Sequence, residues 1–355
     1  MLLSKVGLCS LLLIAGSASL SLAASTTYHV TDLGVLPGGS QYNQSTGAAI
    51  NAAGQIVGTS DKPYGGYANG TEDGFLYSGG KLTDLGTLLG NFGSFATGIN
   101  NSGQAVANAF NGGYFGYTAF VYANGRRTAL PALGTGTATY GRGINDVGQV
   151  TGESTIYQGD VYDYHAFLYT NGVTKDLGVL GLGDSIGYAV NHSGQVCGYS
   201  NVGFNNAVHA FLYTGGRMTD LGSLGGGLSE GYALNNSGEV VGYSTTTGYY
   251  SHAFASVGGR MIDLGTLGGA SGNSDAYGVN DAGQIVGQSS IKGDNYAFRG
   301  FVYTGGRMYD LNSLLDASSK TYLITNATGI NTTGAIVGDA TVNGWTHAVL
   351  LTPKP

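Results

Sequence analysis

The pattern of apolar and polar residues along the chain is that of short strands separated by turns. Runs such as Ile285-Val286 and Phe211-Leu212-Tyr213 stand among glycine, asparagine and serine, and outside residues 6–15 no stretch keeps a helical period over three turns. Alternation with a period of two, bounded by turn residues, is typical of half-buried strands. The sequence therefore predicts an all-β protein.

One structural unit is repeated along most of the chain. Residues 209–244 contain an aromatic strand beginning His-Ala-Phe, a Gly-Gly turn, a strand ending Asp-Leu-Gly, a glycine-rich link, a strand ending in asparagine and a Gly-Glu-Val-Val-Gly strand. The asparagine of the turn Asn-x-x-Gly recurs at Asn51, Asn100, Asn145, Asn191, Asn235, Asn280 and Asn331. The aspartate that ends a strand recurs at Asp32, Asp84, Asp176, Asp220, Asp263 and Asp310, with a degenerate copy near Ala129. The interval of about 43 to 52 residues is the length of one propeller blade of four strands.

Each unit supplies four strands, called a (ending in the asparagine), b (Gly-Gln-Ile-Val-Gly type), c (His-Ala-Phe type) and d (ending Asp-Leu-Gly). Glycine in the a-b and c-d turns can take the positive φ that tight hairpins require. A lone d strand at residues 28–32 and a lone a-b-c set at residues 327–351 can complete one sheet together. The positions four and two before each asparagine are always glycine or alanine, as the crowded innermost strands of a ring require. We therefore expect a seven-bladed β-propeller closed by its N-terminal strand.

The net charge and the N-terminal segment limit the possible partners and the compartment. The chain has 65 glycines, 25 tyrosines and a net charge of -7, and the negative charge argues against a nucleic-acid partner. Residues 1–24 contain Lys5, a short apolar run and small residues, which predicts a signal peptide before a single domain at residues 25–355. Cys9 belongs to that segment, so Cys197 remains alone and no internal disulfide is expected. No second apolar run has transmembrane length, so we expect an exported protein, secreted or periplasmic, with no membrane span.

The combined motifs resemble the HAF repeat family of extracellular repeat proteins. The tripeptide His-Ala-Phe stands at His165, His209 and His252, and the resemblance covers essentially all of the predicted mature chain. The histidine is missing in the copies that contain Phe75, Phe120 and Phe301, and Val349 replaces the phenylalanine in the last copy. The resemblance implies an exported, propeller-like protein and supplies no catalytic residues.

The repeated histidines and aspartates are interpreted as structural. Four of the six histidines share one repeat position, namely His165, His209, His252 and His347. A residue type repeated around a ring is expected to bond a turn or the aspartate of its own blade, because a catalytic or metal-binding histidine is normally singular. The aspartates can accept backbone N–H groups of the turn that follows. No metal site and no cofactor are therefore predicted.

The connections between strands b and c vary most in length and are rich in aromatic residues. In a propeller they emerge on the same face as the d-to-a links, opposite the a-b and c-d turns. Tyrosine and tryptophan offer rigid contact area with a polar group, which suits sugar rings or a protein partner. The predicted ligand-binding residues are Tyr114, Tyr162, Tyr164, Tyr249, Tyr250 and Trp345. The alternative interpretation is that these rings only cover one another.

Two carboxylates offer a catalytic alternative. Glu230 and Asp275 stand five residues before the asparagine in adjacent repeats, so they could approach each other at the mouth of the channel. A pair of acids is the minimal set for glycoside hydrolysis, although scattered surface acids would look the same. Cys197 replaces a valine-like residue of strand b and is expected to be a buried apolar residue.

The sequence thus favours a secreted binding module for an extracellular polysaccharide or a cell-surface protein. A propeller glycoside hydrolase or lyase is the first alternative. A structural matrix or envelope protein is the second.

Overall fold

The computed structural model describes residues 26–38, 44–62, 72–88, 93–110, 116–158, 161–203 and 207–354. Within these ranges the chain forms seven four-stranded antiparallel sheets and two short 3-10 helices, at Leu311–Leu314 and Ala317–Ser319. The described residues include no helix with the length and hydrophobicity needed to cross a bilayer. The prediction of a seven-bladed β-propeller is confirmed, while the predicted signal peptide lies outside the described residues.

Each blade consists of four strands that follow one another in the chain, except in blade 7. Blade 1 has β2 (Ser45–Ile50), β3 (Ile56–Asp61), β4 (Glu72–Ser78) and β5 (Lys81–Asp84), and blade 2 has β6 (Ser94–Ile99), β7 (Ala105–Phe110), β8 (Tyr117–Ala123) and β9 (Arg126–Ala129). Blade 3 has β10 (Thr139–Ile144), β11 (Val150–Gln158), β12 (Val161–Thr170) and β13 (Val173–Asp176), and blade 4 has β14 (Ser185–Val190), β15 (Val196–Asn201), β16 (Val208–Thr214) and β17 (Arg217–Asp220). Blade 5 has β18 (Gly225–Leu234), β19 (Val240–Thr246), β20 (Ser251–Val257) and β21 (Arg260–Gly265), and blade 6 has β22 (Ser274–Val279), β23 (Ile285–Ile291), β24 (Asp294–Thr304) and β25 (Arg307–Asp310). Blade 7 has β26 (Leu323–Ile330), β27 (Ile336–Val342), β28 (Trp345–Lys354) and, as its outer strand, β1 (Thr27–Asp32).

Blade 7 joins the two ends of the repeat array. β1 pairs antiparallel with β28, from Thr27 opposite Lys354 to Asp32 opposite Val349. Tyr28 and Val30 of β1 are buried in the apolar core of this blade. The expected closure by the N-terminal strand is confirmed.

The a strands are innermost, and their small residues allow them to lie close together. A Cβ atom added to Gly47 would lie 2.4 Å from a methyl group of Val337 in blade 7, and one on Gly141 would lie 2.5 Å from Val106 in blade 2. Such distances are far below ordinary van der Waals contact, so a side chain there would push neighbouring blades apart. The interpretation of these positions as crowding constraints is confirmed.

The core lies between successive blades. The phenylalanine of strand c is fully buried at Phe75, Phe120, Phe167, Phe211, Phe254 and Phe301. In five of these blades the residue before the phenylalanine donates its backbone N–H to a hydroxyl of the next blade, as Ala166 does to Ser185 at 2.9 Å. Cys197 is also fully buried, and burial raises the pKa of its thiol to about 12, as expected for an apolar core position.

The a-b turns form a closed ring of hydrogen bonds. Each of the seven asparagines donates its side-chain N–H to the backbone carbonyl of the next asparagine, at 2.8 to 3.3 Å. The last bond, from Asn331 to Asn51, joins blade 7 to blade 1. The side-chain oxygen of each asparagine also accepts backbone N–H groups of its own turn, as Asn191 does from Ser193 and Gln195. All seven side chains are buried, so the ring satisfies polar groups that water reaches poorly.

The repeated histidines contact the aspartates of their own blades. The Nδ1 atoms of His165, His209, His252 and His347 lie 2.9 Å from Asp176, Asp220, Asp263 and Asp32 respectively. Asp176 also accepts the backbone N–H of Gly178, and these bonds outweigh its partial burial and lower its pKa. The structural interpretation of the repeated histidines is confirmed.

Blade 1 replaces this pair by a lysine bridge. Asp73 occupies the repeat position of the histidine, and Lys62 pairs with both Asp73 and Asp84. Asp73 is buried, which raises the pKa of its carboxyl despite the bond from Lys62. Lys62 is therefore the cation that holds two acids together at the edge of this blade.

We expect Lys62→Met to lower the free energy of unfolding by about 2 to 3 kcal/mol, because removing one partner of a buried ion pair leaves the other charge unpaired. Urea unfolding measures the loss, and Lys81→Met is the control, since Lys81 is exposed. The double variant Lys62→Met with Asp73→His restores the histidine-aspartate pair of the other blades and should recover most of the stability. Equal stability of Lys62→Met and Lys81→Met would contradict this account.

Candidate ligand-binding site in the central channel

The position three residues before each asparagine lines the channel, and it divides the ring into two halves. Its occupants around the ring are Ala48, Thr97, Arg142, Tyr188, Tyr232, Tyr277 and Thr328. The residues are large in blades 3 to 6 and small in blades 7, 1 and 2. A cavity of about 280 Å³ is bounded by these side chains. The channel is therefore a recess with one aromatic wall.

At one end of the wall an arginine lies between two tyrosine rings. The guanidinium carbon of Arg142 is 4.4 Å from the ring centroid of Tyr140 and 4.5 Å from that of Tyr188. Arg142 also makes two hydrogen bonds to Glu153, at 2.7 and 2.8 Å. Burial raises the pKa of Glu153, and the bonds from Arg142 oppose that effect. Cation-π contact and the bidentate pair together fix the guanidinium plane.

Glu230 of β18 lies at the centre of the wall and accepts bonds from two tyrosines. The Tyr243 hydroxyl is 3.1 Å from Glu230 Oε1, and the Tyr188 hydroxyl is 3.3 Å from Oε2. Burial raises the pKa of Glu230, while these hydroxyl bonds oppose the rise. The carboxylate is thus held in place by a tyrosine of its own blade and one of blade 4.

Asp275 of β22 has a separate set of partners. The side-chain N–H of Gln288 donates to Asp275 Oδ2 at 3.0 Å, and the Tyr277 hydroxyl lies 3.3 Å from the same oxygen. Burial is again the main cause that raises the pKa of the carboxyl. Burial raises the pKa of the Tyr232 phenol, and the charges of Glu230 and Asp275 add to the rise. The structure thus brings the two predicted acids to one wall, each bonded to different neighbours.

The tyrosines form one continuous surface. The ring centroid of Tyr232 lies 4.9 Å from Tyr188, 5.5 Å from Tyr277 and 5.8 Å from Tyr243. Burial raises the pKa of all four phenols, so they stay protonated and can donate hydrogen bonds. We call the following set the channel site: Tyr140, Arg142, Glu153, Tyr188, Glu230, Tyr232, Tyr243, Asp275, Tyr277 and Gln288.

The aromatic residues predicted to bind a ligand lie at or next to the b-c connections. The side chain of Tyr249 is 83% exposed in the β19–β20 turn and that of Trp345 is 38% exposed at the start of β28. Tyr162 is exposed on β12 and contacts the ring of Tyr157 at 4.8 Å, while Tyr164 and Tyr250 are half-buried. Tyr114 lies outside the described residues.

Several of these connections are tight hairpins, as in blades 6 and 7. Strands b and c extend toward the connection, as in the cross-strand pair of Tyr157 and Tyr162. In blade 7, Asn343 and Gly344 both have positive φ and form a two-residue turn before Trp345. The aromatic residues there are attached to strands, which hold them at the rim of the face.

Sequence reasoning missed Arg142 and all five tyrosines of the channel site. The available signal was variation at one repeat position, three before the asparagine, where size changes from alanine to tyrosine around the ring. In a repeat whose positions four and two before the asparagine are always glycine or alanine, such variation marks residues that the ring itself does not require. Over the described ranges, no three histidine, cysteine or acidic side chains lie close enough together to hold a metal ion.

Comparison with known proteins assigns the chain to no family. No family model and no curated protein sequence matches the chain. Solved structures that match include TolB from Acinetobacter baumannii, at 9% identity and a TM-score of 0.44, covering 88% of this chain and 65% of that one. Trypanosoma rangeli sialidase matches at 11% identity and a TM-score of 0.42, and the match covers 93% of this chain and 60% of the sialidase. A mutant Aleuria aurantia lectin in complex with alpha-methyl-L-fucoside matches at 12% identity and a TM-score of 0.37. This match covers 80% of this chain and 94% of the lectin.

The chain spans less than two thirds of the length of TolB and of the sialidase. At identities near 10%, no residue of the channel site can be matched by sequence to a residue of these proteins.

Proposed function

We propose that the protein is a secreted binding module that recognises an extracellular polysaccharide at the channel site. The observation that carries the proposal is the asymmetric channel, in which four adjacent blades place an arginine and three tyrosines at one inner position where the other three have alanine or threonine. Positions that are glycine or alanine in every blade are needed to pack the ring. The position that varies from blade to blade is not needed for packing and can contact a ligand.

The chemistry of the wall suits a sugar. Tyr188, Tyr232 and Tyr277 present flat apolar rings, and their hydroxyls donate hydrogen bonds. Glu230 and Asp275 offer acceptors for sugar hydroxyls. A concave site with aromatic walls and a few convergent polar groups is the usual form of a small-molecule site. Exposed Tyr249 and Trp345 at the rim add surface over which a longer chain could extend.

A glycan array tests the proposal on the protein that comprises residues 26–355. We expect binding to at least one polysaccharide, and we expect Tyr232→Ala to weaken it at least about tenfold, because one well-placed aromatic contact is worth about 1.4 kcal/mol or more. Tyr122→Ala is the matched control, since Tyr122 contacts Arg127 near the c-d turn of blade 2, on the opposite side of the ring. Circular dichroism checks that both variants are folded. Unchanged binding by Tyr232→Ala would remove the channel from the proposal.

A glycoside hydrolase or lyase remains the second candidate because of Glu230 and Asp275. Burial raises the pKa of both carboxyls, which is how general acids are prepared for work near neutral pH. The bound glycan of the array identifies the substrate to assay for released reducing ends. Release that disappears in Glu230→Gln and in Asp275→Asn would replace the binding proposal by this one.

A cell-surface protein partner and a structural role in a matrix are the remaining candidates. Silence on the array, together with concentration-dependent self-assembly, would favour the structural role. A protein partner would be favoured if the protein binds no glycan on the array but binds intact cells, and if protease treatment of the cells abolishes that binding.

A further inference from the structure

The charges of the channel site are unbalanced. The charge of Glu153 is balanced by Arg142, which donates two hydrogen bonds to its carboxylate. Glu230 and Asp275 have hydroxyl and amide donors, but within the described part of the chain neither forms an ion pair with a lysine, arginine or histidine. Two partly buried carboxylates next to the channel-lining tyrosines therefore have only neutral partners in hydrogen-bonding contact.

Blade 3 shows how this wall holds a cation. Arg142 lies between the faces of Tyr140 and Tyr188, with Glu153 completing its charge. Tyrosine faces attract cations through their quadrupole, and the attraction grows as water is excluded. The contact is made by residues at three repeat positions: five and three before the asparagine on strand a, and the paired position on strand b.

Blades 5 and 6 present the same chemistry without the cation. At the corresponding positions blade 5 has Glu230, Tyr232 and Tyr243. Blade 6 has Asp275, Tyr277 and Gln288. The rings of Tyr232 and Tyr277 are 5.5 Å apart between centroids, so the two half-sites are continuous. Carboxylates and tyrosine faces are present, and the positive partner is the component that is missing.

We propose that this part of the channel site binds the ammonium group of an amino sugar, so that the polysaccharide recognised is one with free amines. The inference rests on the proposed function and names the class of sugar. An ammonium group would pair with Glu230 or Asp275 and contact the aromatic surface of Tyr232 and Tyr277 from the channel, by the same cation-π attraction that Arg142 shows with Tyr140 and Tyr188. The protein's net charge of -7 favours the approach of a cationic polymer and disfavours acidic polysaccharides.

The test compares two hexamers of the same backbone by calorimetry at pH 6. One is β-1,4-linked glucosamine with free amines, and the other is its fully N-acetylated form. We expect the free-amine hexamer to bind at least about tenfold more tightly, which corresponds to one charge-assisted contact. In Glu230→Gln the ratio between the two hexamers should fall toward one.

The matched control is Asp146→Asn. It changes the net charge by the same amount but lies in the a-b turn of blade 3, at the other mouth of the channel, where it accepts bonds from Asn101. This variant should keep the preference for the free-amine hexamer. A preference that Asp146→Asn loses to the same extent would reduce the effect to overall charge and overturn the inference.

The remaining outcomes separate the inference from the proposed function. Equal binding of the two hexamers overturns the amine preference and leaves a polysaccharide-binding site in place. Binding of neutral or acidic glycans on the array, with neither hexamer bound, has the same meaning. Hexalysine bound in place of both hexamers overturns the inference in favour of a basic peptide. No glycan bound anywhere removes both proposals.

Discussion

Asn191→Ala is expected to lower the free energy of unfolding by about 3 kcal/mol, although the residue touches no ligand and contributes little to the apolar core. The side chain donates to the carbonyl of Asn235 and to Gln195, and it accepts the backbone N–H groups of Ser193 and Gln195. Alanine leaves these groups without their partner at a buried turn, and each unsatisfied group costs about 1 to 3 kcal/mol. Water that reaches the turn from the channel can bond some of these groups, so we expect each to cost an amount near the lower end of that range.

Guanidinium unfolding measures this loss, and His192→Ala is the adjacent control. His192 is exposed, and its backbone N–H, which the substitution keeps, donates to Asn236. Asn331→Ala should cost as much as Asn191→Ala, because its bond to Asn51 is one of seven equal links in the ring. A loss below about 1 kcal/mol at both asparagines would show that water replaces the ring bonds at little cost.

Removal of the chain before Leu33 is expected to destabilise the propeller by about 5 kcal/mol or more. Tyr28 and Val30 are buried in blade 7, and full burial of a large apolar side chain stabilises by roughly 1.5 to 3 kcal/mol. The deletion also exposes the edge of β28 and removes the partner of His347, Asp32. Three strands would then remain where the ring needs four.

The deletion can be tested by complementation. A protein that begins at Leu33 should unfold at lower denaturant than one that begins at residue 26, and a peptide of residues 26–36 added in trans should restore much of the difference. The same peptide with Tyr28→Ala and Val30→Ala is the control, since it keeps the backbone and loses the buried side chains. Equal stability of the two proteins would mean that the ring closes without β1.

Much of the fold could be predicted because each repeat carries its own turn chemistry. Asn-x-x-Gly and Gly-Gly specify hairpins locally, and the phase of the first and last strands specifies closure. The ring of asparagine bonds could not be predicted in the same way, because the acceptor of each side chain is a carbonyl in the next blade. That partner exists only after the sheets have been placed around an axis.

The channel site was predicted only in part, for a related reason. Glu230 and Asp275 stand at equal repeat positions, and this equality placed them on one wall. Tyr188 and Tyr232 look in sequence like ordinary strand residues, and only the closeness of the a strands brings their rings to 4.9 Å. The pairing of Arg142 with Glu153 depends on the register between β10 and β11, which a bulge shifts by one residue.

The pairing of Thr27 with Lys354 also determines how the molecule can be tethered. β28 runs away from the b-c connection at Trp345, so both ends of the described chain leave the ring on the side of the a-b and c-d turns. The channel site and the aromatic rim face the other way. A propeller fixed to a bead, a sensor surface or a cell through either end therefore presents its candidate binding face to the surrounding solution.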